Sequence, residues 1–132
     1  ISSFARQVAR IEAGLEEPVI RVGNLNSRRD ITDVRDVVQA YIRLMADGRP
    51  GCAYNICSGR AYRIGDLLDA LIALASVPVR VEIDPARLRP IDHPIIVGSP
   101  GRLHDDVGWT PTIPIEQTLQ DTLEWWRTQI KN

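Results

Sequence analysis

The stretch RRDITDVRDVVQAYIRLMADG, residues 28–48, contains the change from loop to helix on which the fold prediction depends. Its first residues close a polar run, 24–30, that is typical of a loop. Asp33 is a suitable N-cap because its carboxylate can accept a hydrogen bond from the first helical turn. Asp47-Gly48 is a typical helix end. The residues between them predict an amphipathic helix. Its predicted apolar face consists of Val34, Val37, Val38, Tyr41, Leu44 and Met45.

On both sides of this helix, apolar residues either alternate with polar ones, which indicates strands, or recur at helical spacing. The predicted strands are 18–23, 53–57 and 79–83, and the other predicted helices are 2–15, 64–75, 99–108 and 115–130. This order predicts an α/β fold, a small mixed domain of short strands and four to five helices. At 132 residues the chain is expected to be one domain, 1–132. So few short strands also indicate a lobe that leans on a larger neighbour.

The composition excludes several classes of protein. A formal net charge of -1 provides no positive field to recruit nucleic acid. No apolar run approaches the roughly 18 residues that span a membrane. Cys52 and Cys57 lie five residues apart on a predicted strand, so we expect two buried, reduced thiols on opposite faces, and a cytoplasmic location. His93 and His104 share no metal-ligand spacing with the cysteines, so no metal site is predicted.

The loop DPARLRPIDHP, residues 84–94, is stiffened by three prolines, which exclude a helix and a central strand. Two arginines on different loops, Arg29 and Arg89, could clamp a diphosphate through charge-assisted hydrogen bonds. The alternative is that each forms a surface ion pair, Arg29 with Asp33 and Arg89 with Asp92. The spacing alone leaves both interpretations open.

No self-contained catalytic motif is visible in the sequence. The patterns of the nucleophile elbow, the zinc protease and the P-loop are all absent. Asp105 and Asp106 are expected to be solvated at a helix end. The aromatic side chains of Tyr41, Tyr54 and Trp126 are expected to lie in the core.

Four motifs, in sequence order, resemble those of the extended short-chain dehydrogenase/reductases. They are RRDITDVRDVVQAY at 28–41, YNICSGRAYRIGDLL at 54–68, RPID at 89–92 and SPGRLHDDVGWTPTIPIEQTLQDTLEWWR at 99–127. Together they extend over most of the chain. Within that superfamily the chain most resembles the GDP-mannose 4,6-dehydratases and the related GDP-4-keto-6-deoxymannose reductases. The VGNL run at 22–25, ahead of the R-D element, is part of that likeness.

The resemblance implies a two-lobed enzyme, of which this chain is similar only to the C-terminal lobe. In that family an N-terminal Rossmann lobe binds NADP and carries a catalytic Tyr-x-x-x-Lys, and the smaller C-terminal lobe binds the nucleotide sugar. The present sequence has neither a glycine-rich turn nor Tyr-x-x-x-Lys. We therefore expect no catalytic and no cofactor-binding residues here, and no activity from these residues on their own. NADP is expected to bind to the missing N-terminal lobe.

The same resemblance assigns substrate-binding roles to four residues. Arg29 and Arg89 match the arginines that contact the diphosphate, Asp92 matches an acid that accepts from the nucleotide, and Asn24 is expected beside the base. The implied function of the parent enzyme is conversion of GDP-mannose to GDP-4-keto-6-deoxymannose with NADP. The alternatives are a GDP-4-keto-6-deoxymannose reductase, another nucleotide-sugar epimerase or dehydratase, or a free-standing interaction domain. The implied partners are a GDP-sugar, the Rossmann lobe and further copies in a homo-oligomer.

Overall fold

The structure is a computed structural model that describes residues 1–88 and 93–131. The chain divides into two compact units. The first unit comprises Ile1–Ser27, Arg63–Pro94 and Glu116–Asn132, and the second comprises Arg28–Tyr62 and Ile95–Ile115. The assignment of residues 1–132 to one domain stays a prediction.

Helices and short strands follow one another along the described parts of the chain. The helices are α1 (Ser2–Glu12), α2 (Val34–Asp47), α3 (Ile64–Ala73), α4 (Gly101–Val107) and α5 (Ile115–Lys131). The strands are β1 (Val19–Val22), β2 (Arg28–Asp30), β3 (Ala61–Arg63), β4 (Arg80–Ile83) and β5 (Ile95–Ile96). A single 3₁₀ turn at Pro85–Arg87 begins the proline-rich loop. The mixed α/β fold predicted from the sequence is confirmed.

The first unit is built on the parallel pair of β1 and β4, in which Val22 lies opposite Ile83. Helix α1 contacts both α3 and β1. The ion pair between Glu12 and Arg127 joins α1 to α5, with N–O distances of 2.8 and 2.7 Å. Arg127 also donates to the carbonyl of Leu74, at 2.9 Å, at the end of α3. The apolar core of this unit includes Ala5, Val8, Ile11, Ile20, Leu67, Leu68, Leu71, Leu119 and Leu123.

The second unit contains a three-stranded sheet with the order β3-β2-β5, although the last residue of β3 belongs to the first unit. Strands β2 and β5 are parallel, with Arg29 opposite Ile96. Helix α2 begins at the N-cap Asp33, whose carboxylate accepts from the Arg35 amide at 2.9 Å. Helix α4 packs against α2. The buried core is formed by Ala40, Leu103 and Trp109, with Leu44, Tyr54, Ile56 and Val107 packed around it.

Most of the predicted elements are confirmed, because their boundaries depend on local signals. Asp33 caps α2 as expected. Helix α4 ends at Gly108, which adopts a left-handed φ of 64° that favours glycine. Helices α3 and α5 and strands β1 and β4 lie within a few residues of their predicted ranges. Helix α1 ends at Glu12, three residues before the predicted boundary.

The predicted strand at 53–57 is wrong, and so is the prediction that residues 28–30 are loop. The stretch 53–57 forms no strand, whereas the polar residues 28–30 form β2. Both errors have one physical cause: a strand needs hydrogen-bonding neighbours, and local alternation does not reveal whether neighbours exist. Residues 28–30 have neighbours on both sides, in β3 and β5.

The predicted apolar face of α2 is also wrong in large part. Val34 is 70% and Met45 88% exposed, and Val38 and Tyr41 are exposed by about half, so Tyr41 is not a core residue. The side of α2 that is buried instead carries Asp36 and Ala40. We name the uncovered surface the α2 apolar face, and it consists of Val34, Val38, Tyr41, Ile42 and Met45.

The cysteines are both free thiols, but they are not both buried as predicted. Cys52 is exposed and Cys57 is half-buried. This correction follows from the missing strand, since the opposite-face argument assumed one at 53–57. In the described part of the chain, no helix has both the length and the hydropathy needed to cross a bilayer.

Candidate functional site

The four predicted substrate-binding residues are distributed over both units and over residues that the structure does not describe. Arg29 lies half-buried in β2, in the second unit, and its guanidinium donates to the Arg28 carbonyl at 2.8 Å. Asn24 lies exposed after β1, in the first unit, and its side chain accepts from the Asn26 amide at 2.9 Å. Arg89 and Asp92 lie outside the described residues. A joint site of these four side chains stays a prediction.

Within the first unit, Asn24 and the start of the proline-rich loop leave from the same edge of a sheet. Because β1 and β4 are parallel, their carboxyl ends meet at one edge. The Asp84 amide donates to the Val22 carbonyl at 2.8 Å, which holds the two chain exits together. Gly23 allows this approach: a Cβ there would lie 2.5 Å from the Arg87 carbonyl oxygen, closer than side chains can tolerate. Ligands of parallel α/β sheets commonly bind at such an edge.

Asp30, next to Arg29 on β2, is a carboxylate that accepts four hydrogen bonds within the second unit. It accepts from the Ser58 amide at 2.8 Å and the Ser58 hydroxyl at 2.6 Å. It also accepts from the amides of Gly59 at 2.9 Å and Gly98 at 3.2 Å. Burial raises the pKa of Asp30, but the hydrogen bonds from Ser58, Gly98 and Gly59 outweigh it and hold that pKa below its ordinary value. Asp30 is therefore an ionised carboxylate that links β2 to two loops.

Two glycines make this arrangement possible. Gly59 has a φ of 73°, which places the turn at Ser58-Gly59 in the left-handed region. At Gly98 a Cβ would lie 2.6 Å from the Cys57 sulfur, so any other residue would push the loop away from Asp30. Burial and the charge of Asp30 raise the pKa of the Cys57 thiol, which disfavours its reactive thiolate.

A second carboxylate cluster surrounds Asp36 on α2. Asp36 accepts from the Thr112 hydroxyl at 2.9 Å and from the amides of Thr112 and Ile113 at 3.1 and 3.0 Å. Its own carbonyl accepts from the Trp109 indole at 3.0 Å. This cluster anchors the segment after α4 to α2, and it explains why an acid is buried on that helix.

Asp106 is not solvated as predicted, although its neighbour Asp105 is exposed. The side chain of Asp106 is 4% exposed, pairs with Arg49 and accepts from the Tyr54 hydroxyl at 2.8 Å. The hydrogen bond from Tyr54 and the ion pair with Arg49 lower the pKa of Asp106. These contacts fasten α4 to the extended segment that carries Tyr54, which is a structural role.

No group of three or more histidine, cysteine or acidic side chains that could hold a metal occurs within residues 1–88 and 93–131. Sequence reasoning missed the roles of Asp30 and Asp36. The sequence contained one signal for the role of Asp30. Asp30 and the pair Ser58-Gly59 each lie inside one of the motifs that resemble the family. The two motifs are far apart in sequence, however, so nothing indicated that Asp30 contacts Ser58 and Gly59.

Known proteins show the family to which these features belong. A family model described as GDP-mannose 4,6 dehydratase matches residues 1–122. A GDP-6-deoxy-D-mannose reductase from Pseudomonas aeruginosa is 40% identical over 131 residues, which cover 99% of this chain and 43% of that protein. The chain therefore spans less than half the length of this relative.

Solved structures share the fold of this chain. The structure of RMD from Pseudomonas aeruginosa complexed with NADPH superposes with a TM-score of 0.90 and 38% identity, over 97% of this chain and 42% of that one. A UDP-glucose-4-epimerase from Stenotrophomonas maltophila, at 22% identity and a TM-score of 0.79, shares the fold over 97% of this chain and 40% of its own. From its match to the family model and its identity to the reductase, this chain belongs to the GDP-mannose 4,6 dehydratase family.

Proposed function

We propose that this chain is the substrate-binding lobe of an NADP-dependent GDP-sugar reductase. The observation that carries the proposal is the 40% identity to a GDP-6-deoxy-D-mannose reductase across nearly all of this chain. The reaction would transfer hydride from NADPH to the 4-keto carbon of GDP-4-keto-6-deoxymannose, and a proton would complete the hydroxyl. From the sequence alone, the dehydratase is the first candidate and the reductase an alternative. The dehydratase remains the second candidate because the family model that matches residues 1–122 carries that description.

The part of this lobe in the reaction is to hold the nucleotide diphosphate. Arg29 and Arg89 would each contribute charge-assisted hydrogen bonds to the diphosphate. Asp92 and Asn24 would contact the nucleoside. Binding energy from these unreactive groups would orient the sugar towards the cofactor, which is how remote contacts accelerate a reaction.

The cofactor does not fit the residues of this chain. A dinucleotide needs a glycine-rich turn at a helix N-terminus, and this sequence contains none. It also lacks Tyr-x-x-x-Lys. We therefore assign NADP and the proton transfer to a preceding Rossmann lobe.

The uncovered α2 apolar face supports the existence of such a neighbouring lobe. Five large apolar side chains on one helix are exposed together, and this is unusual for a surface that meets only water. The expected homo-oligomer stays a prediction.

The proposed reaction is tested by assaying the complete enzyme with two substrate pairs. A reductase should oxidise NADPH when GDP-4-keto-6-deoxymannose is supplied, whereas a dehydratase should convert GDP-mannose to the 4-keto product with NADP. Activity on UDP-sugars alone would point to an epimerase and contradict both candidates. No turnover of any nucleotide sugar would favour the interaction domain. The 132-residue chain by itself should bind a GDP-sugar weakly or not at all in calorimetry, because half of the pocket would be missing.

The roles of the two arginines are tested by Arg29→Ala and Arg89→Ala in the same enzyme. Each should raise KM for the GDP-sugar about tenfold or more, since a charge-assisted contact to the diphosphate is lost. The KM for NADPH should stay close to that of the wild type. Arg28→Ala is the matched control, because Arg28 is the adjacent, exposed arginine on β2. Unchanged KM values would remove Arg29 and Arg89 from the proposed site.

A further inference from the structure

We infer that Asp30 is a positioning residue for Arg29, and this inference rests on the proposed function. Asp30 would not touch the substrate. It would hold the end of β2 in place, so that the neighbouring arginine presents its guanidinium to the diphosphate in one orientation.

Strand β2 and its two neighbours are short. It has three residues, Arg28 to Asp30, and lies between the three-residue strand β3 and the two-residue strand β5. Strands of this length share few ladder hydrogen bonds, so contacts outside the ladder add to what fixes their direction. Arg29 stands opposite Ile96 in the pairing with β5, and a restraint on the residue beside it therefore bears on its position.

Asp30 supplies such a restraint from the residue next to Arg29. Its four hydrogen bonds reach a turn at Ser58-Gly59 and the loop at Gly98, which follows β5. The strand is thus connected to segments 28 and 68 residues away in sequence. All four donors are neutral, so the carboxylate is satisfied by hydroxyl and amide groups that are themselves fixed by the backbone.

Side chains on adjacent strand residues point to opposite faces. A carboxylate clamped on one face therefore fixes the backbone that directs Arg29 to the other. Binding geometry of this kind must hold within about half an ångström. A change at Asp30 should therefore be measurable through Arg29.

The structure provides a matched control in the Asp36 cluster. Asp36 also accepts from one hydroxyl and from backbone amides in the second unit, but it anchors Thr112 and Ile113 to α2 and not to β2. If KM for the GDP-sugar rises only because the second unit is loosened, substitutions in either cluster should raise it alike. If KM rises because Arg29 is misplaced, only substitutions in the Asp30 cluster should raise it.

The experiment compares two pairs of variants in the complete enzyme. Asp30→Asn and Ser58→Ala weaken the Asp30 cluster, and Asp36→Asn and Thr112→Ala weaken the Asp36 cluster. We expect Asp30→Asn to raise KM for the GDP-sugar about tenfold and Ser58→Ala about threefold, with kcat within about twofold of the wild type. The Asp36 pair should leave KM unchanged even where the unfolding midpoint falls. Ser58→Ala removes the hydroxyl that donates to Asp30 and accepts from the Arg60 amide, but it keeps the carboxylate, so it decides the question if Asp30→Asn does not fold.

Three results would overturn the inference in distinguishable ways. If the wild-type enzyme turns over no GDP-sugar, the proposed function fails and the inference falls with it. If the wild type is active but neither Asp30→Asn nor Ser58→Ala raises KM, Asp30 does not position Arg29. If both pairs raise KM equally, the effect is a general loosening of the second unit.

Discussion

Each of the two units is stabilised internally by a different kind of interaction. The first unit is stabilised mainly by burial of apolar side chains on α1, α3 and α5, such as Val8, Leu68 and Leu123. The second unit has a smaller buried core, and three acids, Asp30, Asp36 and Asp106, connect its loops to its strands and helices. A unit with little apolar core can thus be organised by carboxylates that accept hydrogen bonds from backbone amides and hydroxyl groups.

The largest effect is expected from Trp109→Ala in the second unit. Trp109 is 2% exposed and fills the centre of that small core, so the cavity should lower the free energy of unfolding by about 3–5 kcal/mol. Circular dichroism during urea unfolding measures this, and amide exchange at Ala40 and Leu103 locates it. Trp125→Ala, at an exposed position, is the control. Equal losses in the two variants would contradict the assignment of Trp109 to the core.

A comparable truncation in the core of the first unit should lower the free energy of unfolding by somewhat less. Leu68 is fully buried on α3, and Leu68→Ala should lower the free energy of unfolding by about 2–5 kcal/mol. The same urea titration reports the value, with Leu74→Ala at the exposed end of α3 as the matched leucine control. A loss as small for Leu68 as for Leu74 would show that the first unit does not depend on its apolar core.

Lowering the pH should reduce the free energy of unfolding by less than these core substitutions do. The pH at which it falls should report the contribution of the carboxylates. The pKa of Asp30 and that of Asp106 are below their ordinary values. A carboxyl with a lowered folded-state pKa stabilises the fold above its unfolded pKa, near 4, and this stabilisation is lost as the pH falls through the folded pKa. The free energy of unfolding should therefore be flat from about pH 7 to 5 and decline below about pH 4.

The variant Asp30→Asn sharpens this pH prediction. It removes one of the titrating groups, so unfolding titrations at successive pH values should show a shallower decline than in the wild type. Glu12 also has a lowered pKa, chiefly from its hydrogen bond to Arg127, so the first unit contributes its own share. A decline as steep in Asp30→Asn as in the wild type would exclude Asp30 from the acid response.

The smallest effect is expected from Met45→Ser on the α2 apolar face. Met45 is 88% exposed, so the substitution should change the stability of the 132-residue chain by no more than about 0.5 kcal/mol. In the complete enzyme the same change should destabilise more, if the face is covered by the proposed Rossmann lobe. Thermal unfolding of both proteins makes the comparison. Equal effects in the two would argue that α2 does not contact the lobe.

The sequence predicted those parts of the structure that depend on neighbours along the chain. Asp33 as an N-cap, Gly108 as a helix end and the helical ranges of α3 and α5 follow from hydrogen bonding and conformational preferences within a few residues. The order of the four motifs also indicated the family, which the family model and the 40% identity confirm. These features are encoded locally or in the order of short segments.

Only the tertiary structure decided which surfaces of these elements are buried and which segments pair. The spacing of α2 predicted an apolar inner face, yet the helix buries Asp36, because Thr112 and Ile113 supply donors from 76 and 77 residues away. Residues 28–30 became a strand, and 53–57 did not, because pairing needs a partner from a distant part of the chain. Asp30 acquired its role in the same way, from amides that no local pattern places beside it. Contacts between distant residues depend on the folded arrangement of the whole unit, and this is why sequence periodicity could not reveal them.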